Sequence, residues 1–583
     1  MLLAHHNNTK QTASAPSPAT NPSWRFGDLP AAELILQLQK HLVAQDSEAN
    51  WQLVWLNNDG RPVIGLLPKV SWSVYLTDNM RSDKSLAPYK VTKHCRDTCI
   101  IDPNTSSKVL TTAHMSYAVW QEELITYSQC YESNNLDPKL KNKEQERPNY
   151  HHGLIGFIGY DIAAHELSPD AKIKRAAQPC AILGHYDIYL TPLDESSEST
   201  WQLQVNQTHH AHDENVENKS GLIIALISYL ETLDKTLSDE SLNQASLKTS
   251  SKLAPLALTP RWGKNNYQKA FDQTQNYLQQ GDCYQINLTQ EWHGRLGNQN
   301  TPDKIVSNLI DYLPSLHRNT QAPFAGYLGN ICLKSSCLDD NTDTITQDQT
   351  SLSANATERE NAFELLSCSP ELFFTFIKDP NTGKHHIRTK PIKGTMPRGA
   401  TSEQDNKHKQ QLISSEKDRA ENVMIVDLLR NDLGKYAKIG SVKVPQLFAI
   451  ESFSNVHHMV STISAELKTD THPLSVLFGS LPAGSITGTP KKRAVEIISE
   501  LEAAPRGAYC GTMGYMNFDG SGQWNVLIRT IQANLSSVND SEKERQVSLW
   551  AGGGITVASD CKAEYQECLD KVGNLLSVLA QKI

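Results

Sequence analysis

No stretch of this 583-residue chain approaches the ~20 consecutive apolar residues that a bilayer-spanning helix needs. The richest run, Leu222 to Leu230, already contains Ser228 and Tyr229 and soon meets Glu231. Met1 to Asn8 lacks a basic segment leading into an apolar one, so no secretion signal is expected there. Neither sign of charge prevails: 55 Lys+Arg stand against 64 Asp+Glu, a net −9 that offers nothing to nucleic acid or another polyanion. The eleven cysteines include no CxxC pair, which argues against a structural zinc site and for reduced, cytoplasmic thiols. No internal repeat is visible. What remains, 39% apolar and 20% charged, is the composition of a soluble globular protein long enough for more than one ordinary domain.

Order is uneven along the chain. Residues 1–22 are rich in Asn, Thr, Ser, Ala and Pro and read as a disordered tail. Asp28 as N-cap and Pro30 in the first turn predict a helix with Leu34, Ile35, Leu38, Leu42 and Val43 along one face. Trp51 to Leu56 and Val63 to Leu67 predict strands about the Asn57-Asn58-Asp59-Gly60 turn. Residues 130–150 read as a loop, 195–220 as a polar insertion, 236–261 as a linker and 336–360 as a low-complexity insertion. These divide the chain into an N-terminal region over 23–235 and a second region over 262–579. In the second, Tyr267 to Gln280 is helical, with Tyr267, Phe271, Thr274 and Leu278 on one side.

Several constellations carry chemistry. Asp418 and Glu421 are spaced i, i+3 in a helical pattern, and Glu564 and Glu567 repeat that spacing near the C-terminus. Two solvated helix faces would explain both pairs. If the helices meet, the carboxylates converge and require a cation, and hard oxygen donors favour Mg²⁺. Glu371 follows Pro370 at the entry to an apolar strand, as a water-exposed carboxylate or a directed acid. Arg529 lies in a mostly apolar strand pattern, Asn525 to Ile531, where a guanidinium can fork onto a carboxylate. Tyr509 offers a hydroxyl, and the Gly552-Gly553-Gly554 run offers unhindered amides. The loop that carries Thr487, Gly488 and Lys491 opens a helix whose first amides attract anions. Each glycine taken singly is equally an ordinary turn.

The run Pro391-Ile392-Lys393-Gly394-Thr395 resembles the signature of chorismate-utilising enzymes. Anthranilate-forming members carry alanine where Lys393 stands, and the lysine form resembles the first component of the aminodeoxychorismate-forming members. The resemblance is strong over 262–579 and weak over about 50–200. It implies an α+β fold of large antiparallel sheets in an orthogonal sandwich with outer helices. It also implies chorismate and ammonia as substrates and Mg²⁺ as cofactor. Glu421 and Glu567 align with the family's metal ligands, with Glu564 and Asp418 close by or water-bridged. Lys393 aligns with a nucleophile, Glu371 with the acid that assists loss of the C4 hydroxyl, and His458, rather than His457, with a histidine near the ring. Thr395, Gln285, Arg529, Tyr509, the glycine run and the Thr487 loop fall to substrate binding. Salicylate-forming relatives carry lysine in place of Gln285. A free lysine amine has a pKa of about 10.4, so Lys393 needs desolvation or a nearby cation; Lys390 and Arg388 are candidates beside the metal. No Gly-x-Cys-x-Gly elbow occurs in the sequence, so a separate glutamine amidotransferase subunit is the implied ammonia source. Two other readings remain: an anthranilate-forming component, which would not need Lys393, and an inactive chorismate-binding regulatory subunit, which would be expected to have lost these residues.

Overall fold

The computed structural model describes residues 21–45, 51–77, 88–96, 110–132, 147–194, 197–206, 216–239, 254–296, 308–331, 363–453, 456–536 and 544–581. Residues 1–20 of the expected tail, most of the 130–150 loop, 240–253 of the expected linker and the whole 336–360 insertion lie outside them.

Two twelve-stranded sheets, antiparallel in their pairings, form the body. The first runs in the order Ser23–Trp24, Ser197–Val205, Ile188–Asp194, Val63–Leu66, Trp51–Leu56, Phe324–Ile331, Phe363–Ser369, Thr530–Ser536, Glu544–Ile555, Gln285–Leu296 and Thr259–Pro260, with Gly488–Thr489 added beside Gln285–Leu296. The second runs Ile392–Pro397, Val456–Glu466, His385–Lys390, Leu372–Lys378, Gly522–Asn525, Thr512–Asn517, Gly153–Ile158, Ala181–His185, Val70–Leu76, Tyr89–Cys95 and Leu110–Met115, with Lys443–Ser452 beside Val456–Glu466. Both sheets mix strands from 23–235 with strands from 262–579: Trp51–Leu56 pairs with Phe324–Ile331, and Gly153–Ile158 with Thr512–Asn517.

Alternation along the strands sends one set of side chains between the sheets. There Val54, Leu56, Leu328 and Leu365 of the first sheet share a core with Ile155, Phe157, Met513 and Tyr515 of the second. Phe157 and Phe363 meet across it at 5.5 Å. Helices cover the outside. Lys264–Gln279 buries Tyr267, Phe271, Thr274 and Leu278, the face its periodicity predicts. Glu416–Gly434 starts where the Ser415 hydroxyl accepts from the Asp418 amide, and Cys561–Leu579 where the Asp560 carboxylate accepts from the Lys562 and Ala563 amides.

Three local expectations change. Asp28 does not cap the first helix: it sits at φ 59° in a short turn and pairs with Arg25 at 2.7 Å. The helix, Ala31–Gln45, starts instead from the Pro30 carbonyl, which accepts from Glu33 and Leu34. The polar stretch 195–220 hides a strand, Ser197–Val205, whose alternating Trp201 and Leu203 are buried while polar residues stand between them. The Leu222 to Leu230 run belongs to a helix, Val216–Ser238, which carries on into the expected linker.

A buried ion pair ties the first sheet to the segment 308–312. Glu364 accepts from the Tyr327 hydroxyl at 2.6 Å, from the Leu309 and Ile310 amides at 3.0 and 3.3 Å, and from Arg545. Glu364→Ala leaves the Arg545 charge with Asn308 alone. We expect a loss of about 3–5 kcal/mol, read as a lower denaturant midpoint; an unchanged midpoint would contradict this account.

Candidate active site

The chain changes sheets twice at one place. Phe363–Ser369 of the first sheet passes through Pro370 and Glu371 into Leu372–Lys378 of the second. Gly522–Asn525 of the second passes through residues 526–529 into Thr530–Ser536 of the first. Peptide groups at such crossings have left their ladders and need other partners. Here the crossings satisfy each other. The Val526 amide donates to the Glu371 carbonyl and the Cys368 amide to the Arg529 carbonyl, both at 3.0 Å. The Ser369 hydroxyl donates to the Val526 carbonyl at 2.6 Å. The strand expected over 525–531 is therefore broken, and Arg529 stands in the connection at φ 51°.

A cavity of about 500 Å³ opens over these crossings. Its wall includes Glu371, Arg529, Lys393, Thr395, His458, Tyr509, Gly552, Gly554 and the carboxylates of Asp418, Glu421, Glu564 and Glu567. Gly553 is not in the wall but backs it: the Glu564 Oε2 lies 2.8 Å from where a Cβ on Gly553 would be. Gln285, Thr487, Gly488 and Lys491 lie outside the wall and hold its frame. The Thr487 hydroxyl donates to the Ala483 carbonyl at 2.8 Å, and Gly488 pairs with Ile286. Lys491 is tied to Asp432 at 2.7 Å, and Gln285 packs against Gly554. A larger cavity, about 590 Å³ and lined by Arg175, Glu291, His293 and Gln532 among others, holds none of the sequence-predicted residues.

Lys393 reaches the cavity through a bulge. The register of Ile392–Pro397 against Val456–Glu466 slips between Ile392 and Thr395, which re-aims the two residues in between. Gly394 has φ 84°, and a Cβ there would meet Leu412 at 2.7 Å and Asp418 at 2.9 Å, so only glycine fits. The Lys393 Nζ lies 3.1 Å from the Glu421 Oε2. Lys390 is engaged elsewhere, 2.5 Å from Glu451, and neither it nor Arg388 lines the cavity. Strand alternation separates the two histidines. His458 faces the cavity with its Nδ1 2.8 Å from the Thr395 hydroxyl, while His457 is buried 2.8 Å from Asp405.

Charge in the wall is unbalanced. Six carboxylates (Glu371, Asp418, Glu421, Glu564, Glu567, Asp570) face four cations (Lys393, Lys417, Lys571, Arg529). Among the described residues no three His, Cys, Asp or Glu side chains are placed to hold one metal ion. Lysines hold the carboxylates instead. Lys571 lies 2.7 Å from Glu567, and Lys417 lies 3.7 Å from Glu564 and 3.9 Å from Glu421. Burial pushes Glu564 up, with repulsion from Glu567 and Glu421 adding to it and the Ser559 hydrogen bond opposing it. Burial acts the same way on Glu567, but Lys571, Lys393 and Lys417 outweigh it and leave that carboxyl below its ordinary value. Burial holds His458 down at about 4, with Arg529 and His457 adding to it, so the ring is neutral at pH 7.

Burial raises Glu371 from 4.5 to about 7, against opposition from Lys393 and the Ser485 hydroxyl, which donates at 3.4 Å. Half of this carboxyl can therefore hold a proton at neutral pH, the condition for a general acid. Sequence reasoning missed Ser485, Asn287, Trp550, Lys417 and Lys571. The two lysines were legible, since each stands four residues from a predicted glutamate.

The raised Glu371 value sets a stability cost. Between pH 4.5 and about 7 the unfolded carboxyl loses its proton while the folded one keeps it, so stability falls across that window. Glu371→Gln should abolish turnover yet gain about 3 kcal/mol of stability at pH 8, with little gain at pH 4. Equal gains at both pH values, or none at pH 8, would refute the burial account.

Comparison with known proteins identifies the family. The chain matches the family described as chorismate binding enzyme over residues 97–331 and 345–577. It is 35% identical over 432 residues to aminodeoxychorismate synthase component 1 of Salmonella typhimurium, covering 73% of this chain and 76% of that one. It is 28% identical over 447 residues to anthranilate synthase component 1 of Aquifex aeolicus, covering 75% and 76%. The crystal structure of anthranilate synthase component I from Streptococcus pneumoniae superposes with a TM-score of 0.56 at 19% identity, over 88% of this chain and 91% of that one, a likeness of fold. Two large antiparallel sheets with outer helices are thus a known architecture, and this chain belongs to the chorismate binding enzyme family.

Proposed function

We propose that this chain is the chorismate-converting component of an aminodeoxychorismate synthase, forming 4-amino-4-deoxychorismate from chorismate and ammonia for para-aminobenzoate and folate synthesis. The observation that carries the reading is Lys393 in the wall of a cavity that also holds the proton-bearing Glu371. An anthranilate-forming site would have no use for an amine there. The similarity to a component 1 enzyme in Salmonella typhimurium supports the same reading.

Each side chain has a task in it. Arg529, with no ion-pair partner among the described residues, receives a substrate carboxylate, and Tyr509 stands in the same wall. The neutral Lys393 amine adds at C2 of the ring; the double bonds shift and the C4 oxygen leaves as water with the proton of Glu371. Ammonia then adds at C4, the double bonds shift back, the lysine amine is expelled from C2, and the new C4 ammonium returns a proton to the Glu371 carboxylate. The enolpyruvyl group is retained. Neutral His458 can accept or donate a hydrogen bond beside the ring without adding charge.

A dianionic substrate entering a wall where carboxylates outnumber the four cations even with Glu371 protonated calls for further positive charge. Glu421, Glu567, Glu564 and Asp418 carry the hard oxygen donors that Mg²⁺ takes, and they would hold it once the lysines now paired with Glu421, Glu564 and Glu567 give way. When bound, the ion would offset these carboxylates and orient a substrate carboxylate. A separate glutamine amidotransferase would supply the ammonia, in a cytoplasmic heterodimer.

Three results are expected. In excess chelator, turnover should vanish, and Glu421→Gln or Glu567→Gln should raise the Mg²⁺ concentration needed by about tenfold or more; full activity in chelator eliminates the metal site. With chorismate, Mg²⁺ and ammonium ions at raised pH, the product should be aminodeoxychorismate, which an added lyase converts to para-aminobenzoate. Lys393→Ala should lose most of the rate, and Lys393→Arg should not restore it, because guanidinium stays protonated. Anthranilate as product, or a fully active Lys393→Ala, would overturn the assignment.

A further inference from the structure

Behind the cavity lies a charged pair that the reaction above does not use. Arg506 and Glu502 are both buried, with 2% and 3% of their surface exposed. The guanidinium grips Glu502 twice, Nε to Oε2 at 2.8 Å and Nη2 to Oε1 at 2.6 Å. Its remaining donors reach two backbone carbonyls, Asn287 at 2.8 Å and Ile486 at 3.2 Å. The Glu502 Oε1 accepts from both the amide and the hydroxyl of Thr289, at 3.0 and 2.7 Å. The pair thus pins three segments at once: the Gln285–Leu296 strand, the Gly484–Ile486 turn and the end of the Lys491–Leu501 helix.

Two of those segments enter the cavity wall. Asn287, Ser485 and Ile486 all line it, and the Ser485 hydroxyl donates to Glu371. The Asn287 amide donates to the Thr487 carbonyl at 2.9 Å, so strand and turn are coupled directly as well. Arg506 also lies 4.6 Å from the Tyr160 ring and 5.9 Å from that of Tyr509, a further wall residue. A buried pair of this kind need not add net stability, since apolar residues of like volume often replace it without loss. What apolar residues could not supply is the fork of fixed donors that sets where the turn stands relative to the strand.

Resting on the proposed function, we infer that Glu502 and Arg506 are positioning residues for catalysis. They hold the Gly484–Ile486 turn so that the Ser485 hydroxyl stays on Glu371. Their contribution falls on the chemical step rather than on substrate binding, because neither touches the cavity.

Removing one partner alone would strand a buried charge and could unfold the chain. The test therefore uses Glu502→Leu together with Arg506→Met, made in the full chain, with Ser485→Ala in both backgrounds. We expect the double variant to fold with a melting temperature near that of the wild type. Its ammonium-dependent kcat should fall by about tenfold or more, with the KM for chorismate changed less than about threefold. Ser485→Ala should lower kcat in the wild type and have no further effect in the double variant, the signature of one coupled unit. A folded double variant with wild-type kcat, or fully additive losses, overturns the inference. Amide hydrogen exchange over residues 484–489 reads the same device without turnover: it should quicken in the double variant, and unchanged exchange also overturns it. A wild-type chain that fails to aminate chorismate refutes the functional assignment instead, while the exchange result still decides whether the pair holds the turn.

Discussion

Everything at the site depends on two sheet crossings that solve one another's hydrogen-bonding problem. A strand that leaves one sheet for the other abandons its ladder, and its peptide groups are then buried without partners. Pairing the 370–371 crossing with the 526–529 crossing supplies those partners. The same pairing fixes an acid and a guanidinium over a shared backbone floor, Glu371 on one connection and Arg529 on the other. Neither could be moved independently without exposing peptide groups in the core. The architecture itself keeps Glu371 buried, and its raised value follows from that burial.

Around this floor the wall is an exercise in charge distribution. Carboxylates dominate it, and the lysines are spread so that each meets a carboxylate: Lys393 with Glu421, Lys571 with Glu567, Lys417 between Glu421 and Glu564. Lys571 also donates to the Gly552 carbonyl at 2.7 Å, which clamps the Cys561–Leu579 helix to the Glu544–Ile555 strand. The glycines in that strand let the helix approach. A side chain at Gly553 would collide with Glu564. Electrostatics and close packing therefore set the same geometry, and a change to either disturbs both.

Much of this was legible in the sequence, for identifiable reasons. Helix faces such as Tyr267, Phe271, Thr274 and Leu278 were readable because they bury at a regular spacing. Lys393, Glu371 and the acidic pairs were readable because their motif is short and contiguous. Long-range partners were not. Nothing near Arg529 in sequence announces that the chain changes sheets there, since its neighbours have the composition of an uninterrupted strand. The Ser197–Val205 strand was hidden because polar residues surround its two inward side chains. Ser485 sits in the loop that drew attention to Thr487, Gly488 and Lys491, but which hydroxyl of a loop faces a cavity depends on its turn geometry. Only the fold reveals that Thr487 turns inward to the Ala483 carbonyl while Ser485 turns to Glu371.

Glu421 is where the two halves of the proposed chemistry meet. As it stands, its carboxylate lies 3.1 Å from the Lys393 Nζ, so the proposed nucleophile is engaged in an ion pair. A carboxylate engaged with a hard cation has less charge to offer an amine beside it. Under the proposed function one residue would serve both as counter-ion for the resting lysine and as a donor to Mg²⁺, and these roles exclude one another. The Lys393 bulge, which Gly394 makes possible against Asp418, places the amine where this exchange can occur. Binding of a cation there and release of the proposed nucleophile would then be coupled through a single carboxylate.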